Sequence, residues 1–154
     1  TIEMWIKNIN PHHINAKFYI LGIDRLPNSL NPKYLKSKNI IHLGRVSKTK
    51  LRNIYTQSTA MICLGYDETF CLNAIEANSC GLPVISFGKT ALIDLVKNNY
   101  NGFIVKDFKG LSKKIMYLLK SNNKIKLKFT NNCITYSKKF SLNSIFYAWL
   151  KLIK

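Results

Sequence analysis

The stretch Ala60-Met61-Ile62-Cys63-Leu64-Gly65-Tyr66-Asp67-Glu68-Thr69-Phe70-Cys71-Leu72-Asn73-Ala74-Ile75-Glu76-Ala77-Asn78-Ser79-Cys80-Gly81-Leu82-Pro83-Val84-Ile85-Ser86 decides the fold of this chain. Its first five residues are apolar and read as a strand, and Gly65-Tyr66-Asp67 reads as a turn. A short helix is predicted to start near Phe70 to Leu72 and to stop at Gly81, a helix-ending residue. Pro83 opens the next strand, Val84 to Phe87, where a missing N–H is tolerated. Strand, loop, helix and strand in so short a span form the unit that builds a parallel sheet.

Two carboxylates bracket the helix start. Glu68 sits in the loop before it, and Glu76 about one turn into it. The N–H groups of Phe70, Cys71 and Leu72 are expected to lack intrahelical partners. Such a helix start attracts phosphate, and carboxylates accept hydrogen bonds from sugar hydroxyls. The loop therefore offers acceptor, anion site, acceptor. A nucleotide-sugar presents ribose, diphosphate and sugar in that order.

Glu68-x7-Glu76, with Phe70, Ala77, Gly81 and Pro83-Val84-Ile85, resembles the donor-site signature of family 4 retaining glycosyltransferases of the GT-B type. Four further segments resemble that family in order: Tyr19 to Gly22, Ile40 to Gly44, Tyr55 to Ala60, and Asn101 to Val105. Cys71 stands where the family usually has glycine, Leu64-Gly65 where it has Pro-Ser, and Asp94 where it commonly has Glu. The resemblance covers nearly the whole chain, and only as the C-terminal half of such an enzyme. It implies an α/β, Rossmann-like three-layer domain with a parallel sheet, one half of a GT-B fold. Residues 1–154 are then a donor-binding domain without its first strand and without the N-terminal acceptor domain.

The resemblance also implies roles. Glu68 orients the donor sugar and is the catalytic candidate. Thr69, Phe70, Cys71 and Leu72 hold the sugar and diphosphate, with the amides of residues 70–72 stabilising the leaving group. Glu76 holds the ribose. Arg45, Val46, Lys50 and Leu51 map onto the segment that holds the nucleobase, although Arg45 and Lys50 also read as plain surface cations. The implied partners are a nucleotide-sugar donor, the acceptor domain of the same enzyme, and a saccharide or lipid-linked acceptor. No metal and no other cofactor is expected.

Outward from this stretch, the pattern predicts strands near 18–23, 40–44, 60–64, 84–87 and 102–105, with no antiparallel hairpin. Helices are predicted over residues 1–9, 48–57 (Ser47 capping), 91–97 (Thr90 capping), 108–119, 124–136 and 142–153 (Ser141 capping). A helical turn is expected at Pro32 to Lys36. The last helix, aromatic on one side, is expected to pack on a core rather than lie on a membrane.

A chain of 154 residues is one domain by length, and 47% hydrophobic content is ordinary for a globular protein. No apolar run approaches the roughly 18 residues needed to span a bilayer, and residues 1–10 do not read as a signal peptide. Cysteines at 63, 71, 80 and 133 form no C-x-x-C pair and read as reduced thiols. These features point to a cytoplasmic protein, and the lipid-linked acceptors that the resemblance implies, with the net charge, put it at the inner face of the membrane as a peripheral protein. The net charge of +17 admits an anionic membrane surface as a partner. It also fits an AT-rich coding bias, since 17 Asn and 19 Ile accompany the lysines. The alternative reading is a non-catalytic basic module for anionic lipid or nucleic acid. Scattered lysines and the lack of a recognisable motif argue against nucleic acid.

Overall fold

The computed structural model describes residues 2–9, 15–25, 37–65 and 69–153. Two compact units divide the chain, residues 1–51 and 52–154. The turn expected at 32–36 lies outside the described residues.

In the first unit, helix α1 (Ile2–Asn8) precedes strands β1 (Phe18–Leu21) and β2 (Ile40–Gly44). The strands pair in parallel, Phe18 against Ile40 and Ile20 against His42, with a register shift before Leu21. Trp5 stacks on Phe18 with ring centroids 5.3 Å apart. Met4, Trp5, Ile9, Ile20 and Ile40 are buried and form this unit's core. Helix α2 (Lys48–Gln57) then carries the chain across the boundary between the units. Ser47 caps it as expected, its Oγ accepting from the Lys50 N–H at 3.3 Å.

The second unit is built on strands β3 (Met61–Cys63), β4 (Val84–Ser86) and β5 (Gly102–Ile104). They hydrogen-bond in that order and all run parallel. The middle strand has no exposed residue, as a strand flanked and covered on both faces requires. Between the strands lie helix α3 (Leu72–Ser79) and the single turn α4 (Leu92–Leu95). Helices α5 (Phe108–Lys120) and α6 (Asn123–Ser137) follow, then a 3-10 turn and helix α7 (Leu142–Ile153). All five strands fall where the apolar runs predicted, without an antiparallel pair among the described residues. They form two parallel sheets, of two and three strands, where one was expected.

Glycine and side-chain caps punctuate these elements. Gly81 ends α3 at φ +79°, and a Cβ there would press on Thr130 Cγ2 of α6 at 2.7 Å. Asp107 caps α5 through Gly110 N at 2.6 Å, and Asn122 caps α6 through Ile125 N at 3.0 Å. Ser141 caps α7 as expected, accepting from Ser144 N at 3.3 Å. Thr90 does not cap α4: its φ is +53° and its hydroxyl donates to the Lys89 carbonyl instead. Nor does α7 pack on a core, since none of its residues is buried and Leu142, Phe146, Trp149 and Leu152 are all exposed. An apolar stripe states that a face can be covered and does not supply the cover.

Candidate functional site

In a parallel sheet, the helix that follows a strand starts at the strand's carboxyl end. The start of α3 therefore lies at the carboxyl edge of the second unit's sheet, after β3. Cys71 occupies its N-cap position and makes no side-chain cap bond. The dipole of the helix is thus presented without a capping side chain of its own. Thr69, Phe70 and Leu72 are exposed beside it. The Leu72 N–H donates to the Phe70 carbonyl at 3.2 Å, a partner that lies before the helix.

Cys71 is turned inward and 1% exposed, its Sγ 3.4 Å from Cys63 Sγ at the end of β3. Its side chain fills the core behind the helix start. Glu76 is exposed, one turn into α3. Behind that helix Tyr55 is buried, and its hydroxyl is pushed up to about 12, first by burial and then by the negative charge of Glu76 and the neighbouring thiols. Glu76 thus faces solvent on one side of a rigid backing of Tyr55, Cys63 and Cys71.

The far end of α3 is fixed by a buried carboxamide pair. Asn101 Nδ2 donates to Asn78 Oδ1 at 2.6 Å and to the Leu95 carbonyl at 2.9 Å. Asn78 Nδ2 donates to the Leu82 carbonyl at 2.9 Å, and Asn101 Oδ1 accepts from Lys97 N at 2.6 Å. The sequence reading did not single out this pair. Asn101 beside Gly102 looks like an ordinary turn.

In the first unit, the loops at the carboxyl ends of β1 and β2 are tied together. Gly22 N donates to the Gly44 carbonyl at 2.8 Å, and His42 Nε2 lies 2.6 Å from the Ile23 carbonyl. Arg45 pairs with Asp24, Nε to Oδ2 3.2 Å, and its N–H reaches Asp24 Oδ1 at 3.3 Å. Arg45 is therefore an oriented cation rather than a loose one, although both partners remain well exposed. Val46 is half-buried beside it, Lys50 is exposed and Leu51 is half-buried on α2. Glu68 lies outside the described residues.

Fold and helix start together define an open parallel α/β domain, the class in which ligands bind at the carboxyl ends of the strands. Within that class, the chain belongs to the family described as glycosyl transferases group 1, which it matches over residues 5–140. It is 25% identical over 140 residues to N,N'-diacetylbacillosaminyl-diphospho-undecaprenol alpha-1,3-N-acetylgalactosaminyltransferase of Campylobacter jejuni, covering 89% of this chain and 36% of that protein. It is 31% identical over 111 residues to a capsular polysaccharide biosynthesis glycosyltransferase of Staphylococcus aureus, covering 68% of this chain and 29% of that one. The chain thus spans about a third of the length of these relatives. Among solved structures it resembles the pneumococcal O-GlcNAc transferase GtfA in complex with UDP and GlcNAc, with TM-score 0.76, 20% identity, 99% of this chain and 32% of that chain. It also resembles a sucrose-phosphate synthase from Thermosynechococcus elongatus, with TM-score 0.75 and 20% identity over 99% of this chain and 41% of that chain. The α/β fold is thus the one found in GT-B glycosyltransferases.

Proposed function

We propose that this chain is the donor-binding half of a family 4 retaining glycosyltransferase that transfers a sugar from a nucleoside diphosphate sugar to a saccharide or lipid-linked acceptor. The observation that carries the reading is the start of α3. A helix terminus whose N-cap residue Cys71 makes no side-chain cap bond, at the carboxyl edge of a parallel sheet, has the exposed Glu76 one turn behind it. In this reading Glu68 orients the sugar as the catalytic group. The segment Thr69, Phe70, Cys71, Leu72 receives the diphosphate, and Glu76 accepts from the ribose. Arg45, Val46, Lys50 and Leu51 hold the nucleobase, with Arg45 steadied by Asp24. Helix amides, rather than a metal, take the leaving charge.

The sheet grouping among the described residues supports the reading of a doubly wound domain whose first strand lies outside them. In the common doubly wound order 3-2-1-4-5-6, the first strand pairs with the second and the fourth. Five strands lacking it would group as 3-2 and 4-5-6, and the strands here group as β2-β1 and β3-β4-β5. The acceptor named for the Campylobacter relative, a diphospho-undecaprenol carrier, supports a lipid-linked acceptor here, and with it peripheral contact with an anionic membrane. Among the described residues no helix is long and apolar enough to cross a membrane.

Calorimetric titration tests the roles. Glu76→Ala should weaken binding of both the nucleoside diphosphate and the nucleotide-sugar, because it removes the ribose acceptor. Glu68→Ala should weaken the nucleotide-sugar alone. Equal loss of both ligands from Glu68→Ala, with none from Glu76→Ala, would overturn the assignment.

A further inference from the structure

A cleft of about 370 Å³ opens between α5 and α6, over the start of β5. The turn that feeds β5 lies at the amino edge of the sheet. The cleft is therefore at the opposite edge from the start of α3, which lies at the carboxyl edge. Its floor is the buried ring of Phe103, met edge-on by Tyr117 with centroids 5.9 Å apart. Lys114 and Lys128 line it from the two helices, and the carboxamides of Asn99 and Asn132 complete it. Lys114 Nζ stands 4.4 Å from the centre of the Phe103 ring. Asn132 Nδ2 is anchored to the Tyr100 carbonyl at 3.1 Å, which fixes its carboxamide at the rim.

Among the described residues neither lysine pairs with a carboxylate. Nor is one near in sequence, because residues 108–154 hold 11 Lys and no Asp or Glu. The cleft thus carries two lysines, one of them with its ammonium over the aromatic floor, and no carboxylate pairs with either among the described residues. An ammonium over a ring face remains open to an anion on its far side. Paired lysines act as point charges and suit phosphate, whereas planar carboxylates favour the fork of arginine.

We propose that this cleft binds a phosphate monoester or diester that carries an apolar or aromatic body. The phosphate meets Lys114 and Lys128, and the body lies against the exposed ring of Tyr117 and the half-buried Ile125. The source of such a group is an anionic phospholipid at a membrane surface or a soluble organic phosphate, and the recognition chemistry is the same. The inference is independent of the donor-site reading, since no residue is shared.

The test titrates this chain with phenyl phosphate, followed by the amide and side-chain NMR signals of Asn99, Phe103 and Asn132. Lys114→Gln/Lys128→Gln should weaken binding about tenfold or more. Lys106→Gln/Lys109→Gln removes the same charge from exposed positions outside the cleft and should change it less than about twofold. Lys128→Glu, a change at an exposed site, serves as a second variant that leaves the Lys114 contact with Phe103 in place. A parallel arm sediments the chain with phosphatidylcholine vesicles with and without phosphatidylglycerol. Recruitment by phosphatidylglycerol that phenyl phosphate competes away identifies a lipid source. Phenyl phosphate binding without recruitment identifies a soluble one. Equal losses from the two lysine pairs, or shifts that miss Asn99 and Asn132, would overturn the proposal.

Discussion

Asn101 Nδ2 lies 2.6 Å from Asn78 Oδ1, a bond between two buried carboxamides 23 residues apart. It ties the last turn of the helix that carries Glu76 to the turn that enters β5. Around it, Asn101 also bonds the Leu95 carbonyl and the Lys97 N–H, and its own carbonyl accepts from Cys133 Sγ at 3.4 Å. The network closes with its donors and acceptors matched, the condition under which buried polar groups stabilise a fold.

Asn101→Leu should destabilise the chain by about 3 kcal/mol or more. It leaves Asn78 Oδ1 and the Leu95 carbonyl buried without their partner, at about 1–3 kcal/mol each, and takes the partner from the part-buried Lys97 N–H. Urea unfolding measures it. A change below about 1 kcal/mol would mean that water replaces the carboxamide.

Gly102→Ala should prevent folding of the second unit. A Cβ there would overlap the backbone carbonyl oxygen of Val84 on the neighbouring strand, which cannot rotate away. Gly22→Ala is the contrasting control. Nothing lies within 4 Å of its Cβ position, but its φ is +82°, so the cost is backbone strain of about 1 kcal/mol. Soluble yield and circular dichroism of the two variants should separate clearly.

Stability should fall on the alkaline side. Tyr55, ordinarily at 10.0, is pushed up to about 12, and Cys133, ordinarily at 9.0, is pushed up to about 12, both chiefly by burial. The folded chain holds these two protons more tightly than the unfolded chain. Their contribution is intact below pH 9 and is lost as pH rises from 9 towards 12. Tyr55→Phe should flatten the decline between pH 10 and 12 when Tm is measured across that range. An unchanged slope would show that Tyr55 ionises freely.

Thiol labelling should be graded. Cys80 is half-buried, while Cys63, Cys71 and Cys133 are buried. A thiol reagent should modify about one group in the native chain and the other three only in denaturant, because reaction needs an accessible thiolate. Rapid native labelling of Cys71 would mean that its side chain points outward to the helix start.

The isolated chain should bind a nucleoside diphosphate weakly, with affinity nearer millimolar than micromolar, and transfer no sugar. A helix terminus contributes about 0.3–1 kcal/mol per charge at an exposed site. That falls well short of the roughly 8 kcal/mol that micromolar affinity requires. Micromolar binding would point to cations within these residues that complete the site.

Local pattern determined where the elements are. Short apolar runs set β1 to β5, Ser47, Ser141 and Gly81 set helix ends, and the stretch 60–86 held strand, helix and strand in place, because these signals act over a few residues. The place of Glu76, exposed about one turn into the helix after β3, was also legible. Contacts across long sequence separations were decided only by tertiary structure. Packing turned Cys71 inward onto Cys63, brought Asp24 to Arg45, and buried Asn78 against Asn101. The grouping of five strands into two sheets and the bare face of α7 belong there too. Periodicity says which face of an element is apolar, and only the chain's path through space says what meets it.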